Sequence, residues 1–366
     1  MARHVIKLGS GIVADSAGEL RADVVAAICE EAARRTQAGD EIVIVSSGAI
    51  ARGISLMGLD TRPTAIEDLQ AASAVGQGRL YRAYDELLSG AGVRPAQVLL
   101  TFFDLSDRTN YLNARQTLRR LLDWKVVPVV NENDTTATDE ITFGDNDFLA
   151  AQVAIIVEAD SLVLLTSVDG VMTADPRTDP SATVVAEVTD FDALAAEANV
   201  TSATSSLGSG GMRSKVVAAE MATAAGIPVV VCNGLRPEAL GAVLDGDASE
   251  GTRFAARNLG YSSFKLWLRY AKQSRGTVVV DAGAARALSD GGTSLLPVGI
   301  ADAGTGFQAG DAVDIHDPDG RPLGKGIVNY DAEDLAKIAG LKSPQAREVL
   351  PWGAEEAVHR DYFVRV

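Results

Sequence analysis

Short apolar runs rich in Val, Ile and Leu alternate with segments of helical periodicity through residues 4–254. These mainly apolar segments lie at 4–8, 41–45, 97–100, 126–130, 161–165 and 227–231, and the run at 126–130 contains no polar residue. Near-continuous apolar segments of this length are typical of strands buried on both faces of a parallel sheet. Helical periodicity occupies 22–38, 113–123 and 216–225, and the spacing of Thr64 and Glu67 indicates a capping box before a long Ala-rich helix. The alternation predicts an α/β fold, a doubly wound, mainly parallel sheet sandwiched by helices.

The pattern changes after Phe254. Residues 265–270, KLWLRY, alternate between polar and apolar positions and predict an edge strand. Short apolar runs at 277–280, 312–315 and 326–328 then follow, separated by Gly, Asp and Pro turns, which indicates a small β-rich domain. The predicted organisation is therefore a catalytic domain at 1–254, a linker at 255–276 and a second domain at 277–366.

A dense polar segment follows the apolar run Val126 to Val130: NENDTTATDEITFGDND. In open α/β sheets, ligands bind beyond the carboxyl ends of the strands. A strand that ends in so many acids and amides therefore predicts a functional site. The alternative is a plain polar hairpin from Thr136 to Thr142, because Asn, Asp and Gly are also common turn residues.

Lysine is rare in the first part of the chain. Before Lys265 the chain has only Lys7, Lys125 and Lys215, against 18 arginines over the same residues. Lys7 and Lys215 lie beside glycine-rich turns, where a compact ammonium suits a moving phosphoryl group better than a rigid guanidinium does. The loop Gly208 to Gly211 before a predicted helix suits a phosphate, although neither a Walker A loop nor a dinucleotide fingerprint is present.

Composition narrows the class of protein further. A net charge of −16 argues against a general binder of nucleic acid or anionic membranes. No apolar run approaches the roughly 20 residues that cross a bilayer. Two cysteines without a C-x-x-C spacing make disulfide frameworks and zinc sites improbable. These features predict a cytoplasmic protein.

Five blocks of sequence, in this order, resemble the amino-acid kinase family: VIKLGS, IVIVSSGAI, VVNEND followed by GDND, LLTSVDGVMTADPR and GSGGMRSK. The resemblance covers Val5 to Phe254, and within the family it is strongest to members that phosphorylate glutamate. Residues 277–366, with GTSLLPVGI, GDAVDI and GKGIVNY, are similar to a PUA domain. The resemblance implies ATP- and Mg²⁺-dependent phosphorylation of the γ-carboxylate of L-glutamate to L-glutamyl 5-phosphate, the first step of proline biosynthesis.

The resemblance also implies roles for particular residues. Lys7 and Lys215 would neutralise the transferring phosphoryl group while Asp147 holds both lysines in place. The glutamate-binding residues would be Ser47, Gly48, Asp134 and Asn146. The ATP-binding residues would be Lys7, Thr166, Ser167, Ser209, Gly210, Gly211, Met212, Arg213, Ser214 and Lys215. Ser167 stands where the family usually has Asp, and no residue is assigned as a metal ligand.

The implied partners are L-glutamate and ATP, with proline as a feedback inhibitor and a homo-oligomer, dimer or tetramer, as the assembly. No membrane association is expected. Nor is strong nucleic-acid binding, because residues 277–366 carry 8 Lys plus Arg against 14 Asp plus Glu, a formal charge of 8 − 14 = −6. Two alternatives stay open: another amino-acid kinase such as acetylglutamate kinase, and an RNA-binding or regulatory protein on a kinase scaffold.

Overall fold

The computed structural model describes the chain except for residues 102–103, 106–107, 137–145, 175–178, 180, 190, 192–210, 258–259, 271, 273 and 366. The chain divides into two compact units, Met1–Gly260 and Tyr261–Val366. The domain limits predicted from the sequence, 254 and 277, remain a prediction. No helix among the described residues is long and apolar enough to span a bilayer.

An eight-stranded sheet forms the centre of the first unit. Its strands are β1 (Arg3–Leu8), β2 (Glu41–Val45), β3 (Arg94–Leu100), β4 (Val126–Glu132), β5 (Ser161–Thr166), β6 (Glu187–Val188), β7 (Val229–Asn233) and β8 (Thr252–Phe254). Their order is β3-β4-β2-β1-β5-β7-β8-β6. All neighbours from β3 to β7 pair in parallel, and β8 runs antiparallel to β7. The predicted mainly parallel sheet is confirmed.

Among the described residues, this unit contains the helices α1 (Ser10–Val13), α2 (Ala22–Ala38), α3 (Ala49–Leu56), α4 (Ile66–Gly90), α5 (Arg108–Asp123), α6 (Asn146–Val157), α7 (Met212–Ala224) and α8 (Ala239–Leu244). Helix α2 has the predicted bounds and ends at Gly39 in the left-handed region, with φ 105°. The predicted capping box is wrong. The N-cap of α4 is Ala65, without a side-chain hydrogen bond, and Glu67 lies in the first turn, where its charge favours the helix dipole.

Helices α3 and α4 cross in backbone contact. A Cβ atom on Gly53 would lie 1.7 Å from the carbonyl oxygen of Ala72, and one on Gly76 would lie 1.9 Å from the carbonyl oxygen of Ala49. Only glycine leaves enough space for this approach, because real Cβ contacts are never so short. The crossing therefore fixes α4 directly against the helix that follows β2.

The second unit is built on a five-stranded sheet. It contains α9 (Ser263–Tyr270), β9 (Ser274–Val280), α10 (Ala282–Asp290), β10 (Ile300–Asp302), β11 (Ala312–His316), β12 (Pro322–Ile327), α11 (Ala332–Ile338), α12 (Ser343–Val349) and β13 (Phe363–Arg365). The strand order is β10-β9-β11-β12-β13. Only the pair β9–β11 is parallel; the other neighbours are antiparallel.

The edge strand predicted at 265–270 is wrong, because these residues form helix α9. Leu266, Trp267 and Leu268 are all buried. A strand with one face in solvent would expose the middle side chain, which does not fit the burial of all three. The Nζ atom of Lys325 donates to the carbonyl oxygen of Lys272 at 2.8 Å, just beyond the end of α9. Part of the predicted linker is thus regular structure.

Candidate active site

The predicted site residues that the structure describes lie beside the carboxyl ends of neighbouring strands in the first unit. Five parallel neighbours, β4, β2, β1, β5 and β7, all present their carboxyl ends there. The predicted glutamate-binding residues follow β2 and β4, on one side of β1. Thr166 and Ser167, predicted to bind ATP, end β5 on its other side. The strand order therefore separates a predicted acceptor side from a predicted nucleotide side, with Lys7 of β1 between them.

Asp147 joins two lysines at this central position. Its Oδ1 atom lies 2.5 Å from the Nζ atom of Lys7, and its Oδ2 atom lies 2.9 Å from the Nζ atom of Lys215. The Asp147 side chain is fully buried, and the two lysine side chains are 3% and 7% exposed. Two ammonium groups and one carboxylate leave this cluster, Lys7–Asp147–Lys215, with a formal charge of +1. A buried net positive charge attracts an anion and stabilises negative charge that develops in a reaction.

Three elements supply the members of the cluster. Lys7 lies on β1, Asp147 in the first turn of α6 and Lys215 in the first turns of α7. An acid at the N-terminus of a helix is favoured by the helix dipole, which explains the position of Asp147. The helix α7 begins at Met212, directly after the predicted glycine loop and four residues before the helical periodicity at Val216, so Lys215 is helical and its direction is fixed by the helix.

The N-terminus of α7 carries the described part of the predicted ATP loop. Gly211 is the N-cap and makes no side-chain capping bond. The hydroxyl of Ser214 lies 3.0 Å from Oδ2 of Asp147 and 2.8 Å from the carbonyl oxygen of Gly211, so it has two acceptors for one proton. Arg213 is exposed and Met212 half-buried. Ser209 and Gly210, also predicted to bind ATP, lie outside the described residues.

The turn after β2 forms part of the predicted acceptor side. Ser47 is buried, and Gly48 is the left-handed N-cap of α3, with φ 97°. A Cβ atom on Gly48 would lie 3.1 Å from Cγ1 of Val13, so this turn requires glycine for its conformation and has little space to spare. The hydroxyl of Ser46 shares a 2.9 Å hydrogen bond with the hydroxyl of Tyr84 on α4. The turn is thereby fixed from both sides.

Asp134 lies just beyond β4 and is 8% exposed. The hydroxyl of Ser73, on α4, donates to its Oδ2 atom at 2.6 Å. Burial raises the pKa of the Asp134 carboxyl above its ordinary value, while the Ser73 hydrogen bond and the charge of Arg62 oppose the rise. Asn146 is half-buried, and its Oδ1 atom has no hydrogen-bond partner among the described residues.

Thr166 and Ser167 end β5 on the nucleotide side. Thr166 is half-buried and pairs in register with Asn233 at the end of β7, whereas Ser167 is exposed. The Nδ2 atom of Asn233 donates to Asp169 Oδ1 at 3.0 Å, which ties the loop after β5 to β7.

Two polar residues on α4 were missed by the sequence reasoning. Ser73 contacts Asp134, and the side-chain oxygen of Gln77 accepts from the Nδ2 atom of Asn131 at 2.6 Å. They are four residues apart on one helix face, next to the buried Leu69 and Leu80. The signal that was available is this i, i+4 polar pair on a face that is otherwise apolar.

Comparison with known proteins identifies the family of the chain. The profile of the amino acid kinase family matches residues 2–233. A glutamate 5-kinase of Synechococcus sp. (strain JA-3-3Ab) is 45% identical over 359 residues, which cover 98% of this chain and 96% of that protein. The chain belongs to the amino acid kinase family. A glutamate 5-kinase of Burkholderia multivorans is 44% identical over 366 residues, covering all of this chain and 98% of the relative.

Two further similarities concern the second unit and the fold. The profile of the PUA domain matches residues 276–350, which confirms the resemblance found in the C-terminal sequence. Among solved structures, the UMP kinase of Bacillus anthracis aligns with 70% of this chain and 96% of its own, at 20% identity and a TM-score of 0.48.

Proposed function

We propose that this protein transfers the γ-phosphoryl group of ATP to the γ-carboxylate of L-glutamate, giving L-glutamyl 5-phosphate and ADP. The proposal rests on the buried Lys7–Asp147–Lys215 cluster, which lies between the predicted acceptor side and the predicted nucleotide side. The glutamate 5-kinase relatives, similar over nearly the whole chain, supply the acceptor. The alternative of an RNA-binding protein on an inactive scaffold is not favoured, because the charged cluster is intact.

The chemistry needs no general base. A glutamate γ-carboxyl group has an ordinary pKa of about 4.3, so it is already ionised at neutral pH. Catalysis then consists of positioning donor and acceptor in line and of stabilising the charge on the transferring oxygens. We assign the charge stabilisation to Lys7 and Lys215. Asp147, which contacts both lysines, would hold their ammonium groups in position. The N-terminal amides of α7 and the loop before it would bind the phosphates of ATP, with Thr166 and Ser167 nearer the base.

We assign Mg²⁺ to the nucleotide rather than to a protein site. Among the described residues, no three His, Cys, Asp or Glu side chains are grouped to hold a metal ion. Both carboxylate oxygens of Asp147 already contact a lysine ammonium. An ion that is bound through phosphates and water, as Mg²⁺ usually is, fits this arrangement, and it would neutralise part of the phosphate charge.

On the acceptor side we assign Ser47, Gly48, Asp134 and Asn146 to glutamate. Asp134 would contact the α-ammonium, a group that N-acetylglutamate lacks, which favours glutamate over the acetylglutamate kinase reaction. The Oδ1 atom of Asn146 needs a hydrogen-bond donor, which the substrate would bring. We further propose feedback inhibition by proline, a homo-oligomeric assembly and a role in cytoplasmic proline biosynthesis, all by analogy with such kinases.

One assay tests the activity. The purified full chain with MgATP should release ADP when glutamate is added, and hydroxylamine should trap the acyl phosphate as a hydroxamate. N-acetylglutamate in place of glutamate is the matched control and should give no release. Release with N-acetylglutamate alone, or none with either acid, would reject the proposal.

The acceptor role of Asp134 predicts a selective loss. Asp134→Asn should raise KM for glutamate by roughly 30-fold or more, since removing one side of a buried charge pair costs about 2–5 kcal/mol. KM for ATP should change little, because the nucleotide side is beyond β1. Initial rates with each substrate varied in turn measure both constants. An unchanged KM for glutamate would remove Asp134 from the site.

A further inference from the structure

The partner of Asp134 lies on a different element, 61 residues away in sequence. Ser73 is 2% exposed, and its hydroxyl donates to Asp134 Oδ2 at 2.6 Å. A serine inside a helix usually bonds to a carbonyl of its own helix, one turn back. Here the hydroxyl of Ser73 instead donates its hydrogen bond to the carboxylate of Asp134, just beyond β4. The Oδ1 atom of Asp134 accepts no hydrogen bond from the described residues, so one oxygen is held while the other is left for a ligand.

The position of Ser73 is itself fixed. Its helix, α4, is in backbone contact with α3 through Gly53 and Gly76, the second of these only three residues beyond Ser73. One turn further along α4, Gln77 accepts a hydrogen bond from Asn131 of β4. Two hydrogen bonds thus tie one face of α4 to the end of β4. A helix held in this way sets the direction of the carboxylate that it contacts.

We propose that Ser73 is a positioning residue of the acceptor site, which holds Asp134 in the orientation that receives the ammonium group of the amino-acid substrate. The proposal rests on the proposed function, because it takes Asp134 as the residue that binds glutamate. Ser73 itself does not need to touch the substrate. Its effect should therefore appear in the affinity for glutamate and disappear when Asp134 is absent.

The charge state of Asp134 gives a second consequence. Burial raises the pKa of Asp134, and the hydrogen bond from Ser73 lowers it by favouring the carboxylate. Arg62, whose charge also lowers the pKa, is the charged group that acts on Asp134 among the described residues. Without the hydroxyl, the pKa of Asp134 rises further. Only the carboxylate form of Asp134 attracts an ammonium group. As the pH is lowered, a variant without the Ser73 hydroxyl should therefore lose glutamate binding at a higher pH than the unmodified protein does.

The first experiment compares two serine-to-alanine variants on the same helix. Ser73→Ala should raise KM for glutamate about 10- to 100-fold, the range for losing one hydrogen bond to a charged group. It should leave KM for ATP and kcat at saturating glutamate within about twofold. Ser89→Ala, at the exposed end of α4, is the matched control and should behave as the unmodified protein does. The acid limb of kcat/KM for glutamate should also move to higher pH in Ser73→Ala only.

The second experiment is a double-mutant cycle. If Ser73 acts through Asp134, adding Ser73→Ala to Asp134→Asn should change KM for glutamate by less than about twofold, far from the product of the single effects. A purely structural role would multiply the two effects and leave the pH profile unmoved, and either result would overturn the proposal. If the unmodified chain does not phosphorylate glutamate, the proposed function fails. If it does and Ser73→Ala leaves KM unchanged, only the inference about Ser73 fails.

Discussion

Replacing Asp147 by Asn should destabilise the first unit by about 3–5 kcal/mol. The substitution keeps the size of the side chain but removes its charge, so two ammonium groups lose the carboxylate that lies 2.5 and 2.9 Å away. Both lysine side chains are at most 7% exposed, so water cannot replace the lost partner. Breaking a buried ion pair by removing one member typically has this cost, because an uncompensated charge is left behind. For a unit of this size, it corresponds to roughly 6–20 °C in Tm.

The same change should make the protein a better binder of simple anions. The formal charge of the cluster rises from +1 to +2, and an anion that enters restores the neutralisation that Asp147 supplied. A ligand that binds only the native state raises Tm in proportion to the logarithm of its concentration over Kd. ADP at a fixed concentration should therefore raise the Tm of Asp147→Asn by more than it raises the Tm of the unmodified protein.

Thermal unfolding followed by calorimetry, with and without ADP, measures both effects in one series. Asp123→Asn is the control, since Asp123 is exposed and its 3.6 Å pair with Arg120 lies on the surface. Its Tm should shift by no more than about 2 °C, because exposed ion pairs contribute little. A Tm for Asp147→Asn equal to that of the control, or an ADP shift no larger than in the unmodified protein, would refute the reasoning.

Three further outcomes are expected. Gly76→Ala should disrupt the α3–α4 crossing, giving insoluble protein or lowering the free energy of unfolding by more than about 3 kcal/mol in denaturant titrations. The control Gly78→Ala, with nothing within 4 Å of the new Cβ, should leave that free energy unchanged or raise it by up to about 1 kcal/mol. Lys7→Ala and Lys215→Ala should each lower kcat on the order of 10²–10³-fold, while Lys125→Ala, at an exposed turn, should be nearly silent; normal turnover in the first two would exclude them from catalysis. A folded chain that ends after β8 should keep its phosphoryl transfer, and complete loss of activity would show that the second unit is required.

The sheet was predictable because its strands carry an unambiguous pattern. The segment Glu41 to Val45 is short and apolar after its first residue, and it forms β2 with the predicted bounds. The strand predicted at residues 265–270 was wrong because a pattern of six alternating residues fits an amphipathic strand and a short helix equally well. Packing decided the matter, since Trp267 is buried together with both of its neighbours. Thr64 failed because a capping motif indicates where a helix is able to start, while the contacts of α4 determined where it does.

The candidate site was predictable as a neighbourhood and not as a set of contacts. Parallel strands place their carboxyl ends together, so Lys7 and Asp134 were expected at one edge of the sheet. Asp147 and Lys215 are 68 residues apart, and only the packing of α6 against α7 brings their side chains within hydrogen-bond distance. For Ser73 the sequence offers a weaker signal, the i, i+4 polar pair that it forms with Gln77, and only the fold shows that its hydroxyl contacts the Asp134 carboxylate.

The sharing of one carboxylate between two lysines has a consequence for the catalytic cycle. Before substrate binds, Asp147 contacts the ammonium groups of both Lys7 and Lys215, so both charges have a partner in the resting protein. On the proposed mechanism, phosphate oxygens take over part of this role during transfer. When the phosphorylated product departs, Lys7 and Lys215 return to their contacts with Asp147. Because the contacts with Asp147 re-form as the product leaves, the barrier to product release is lower. Strong charge stabilisation during the reaction therefore does not have to slow turnover after it.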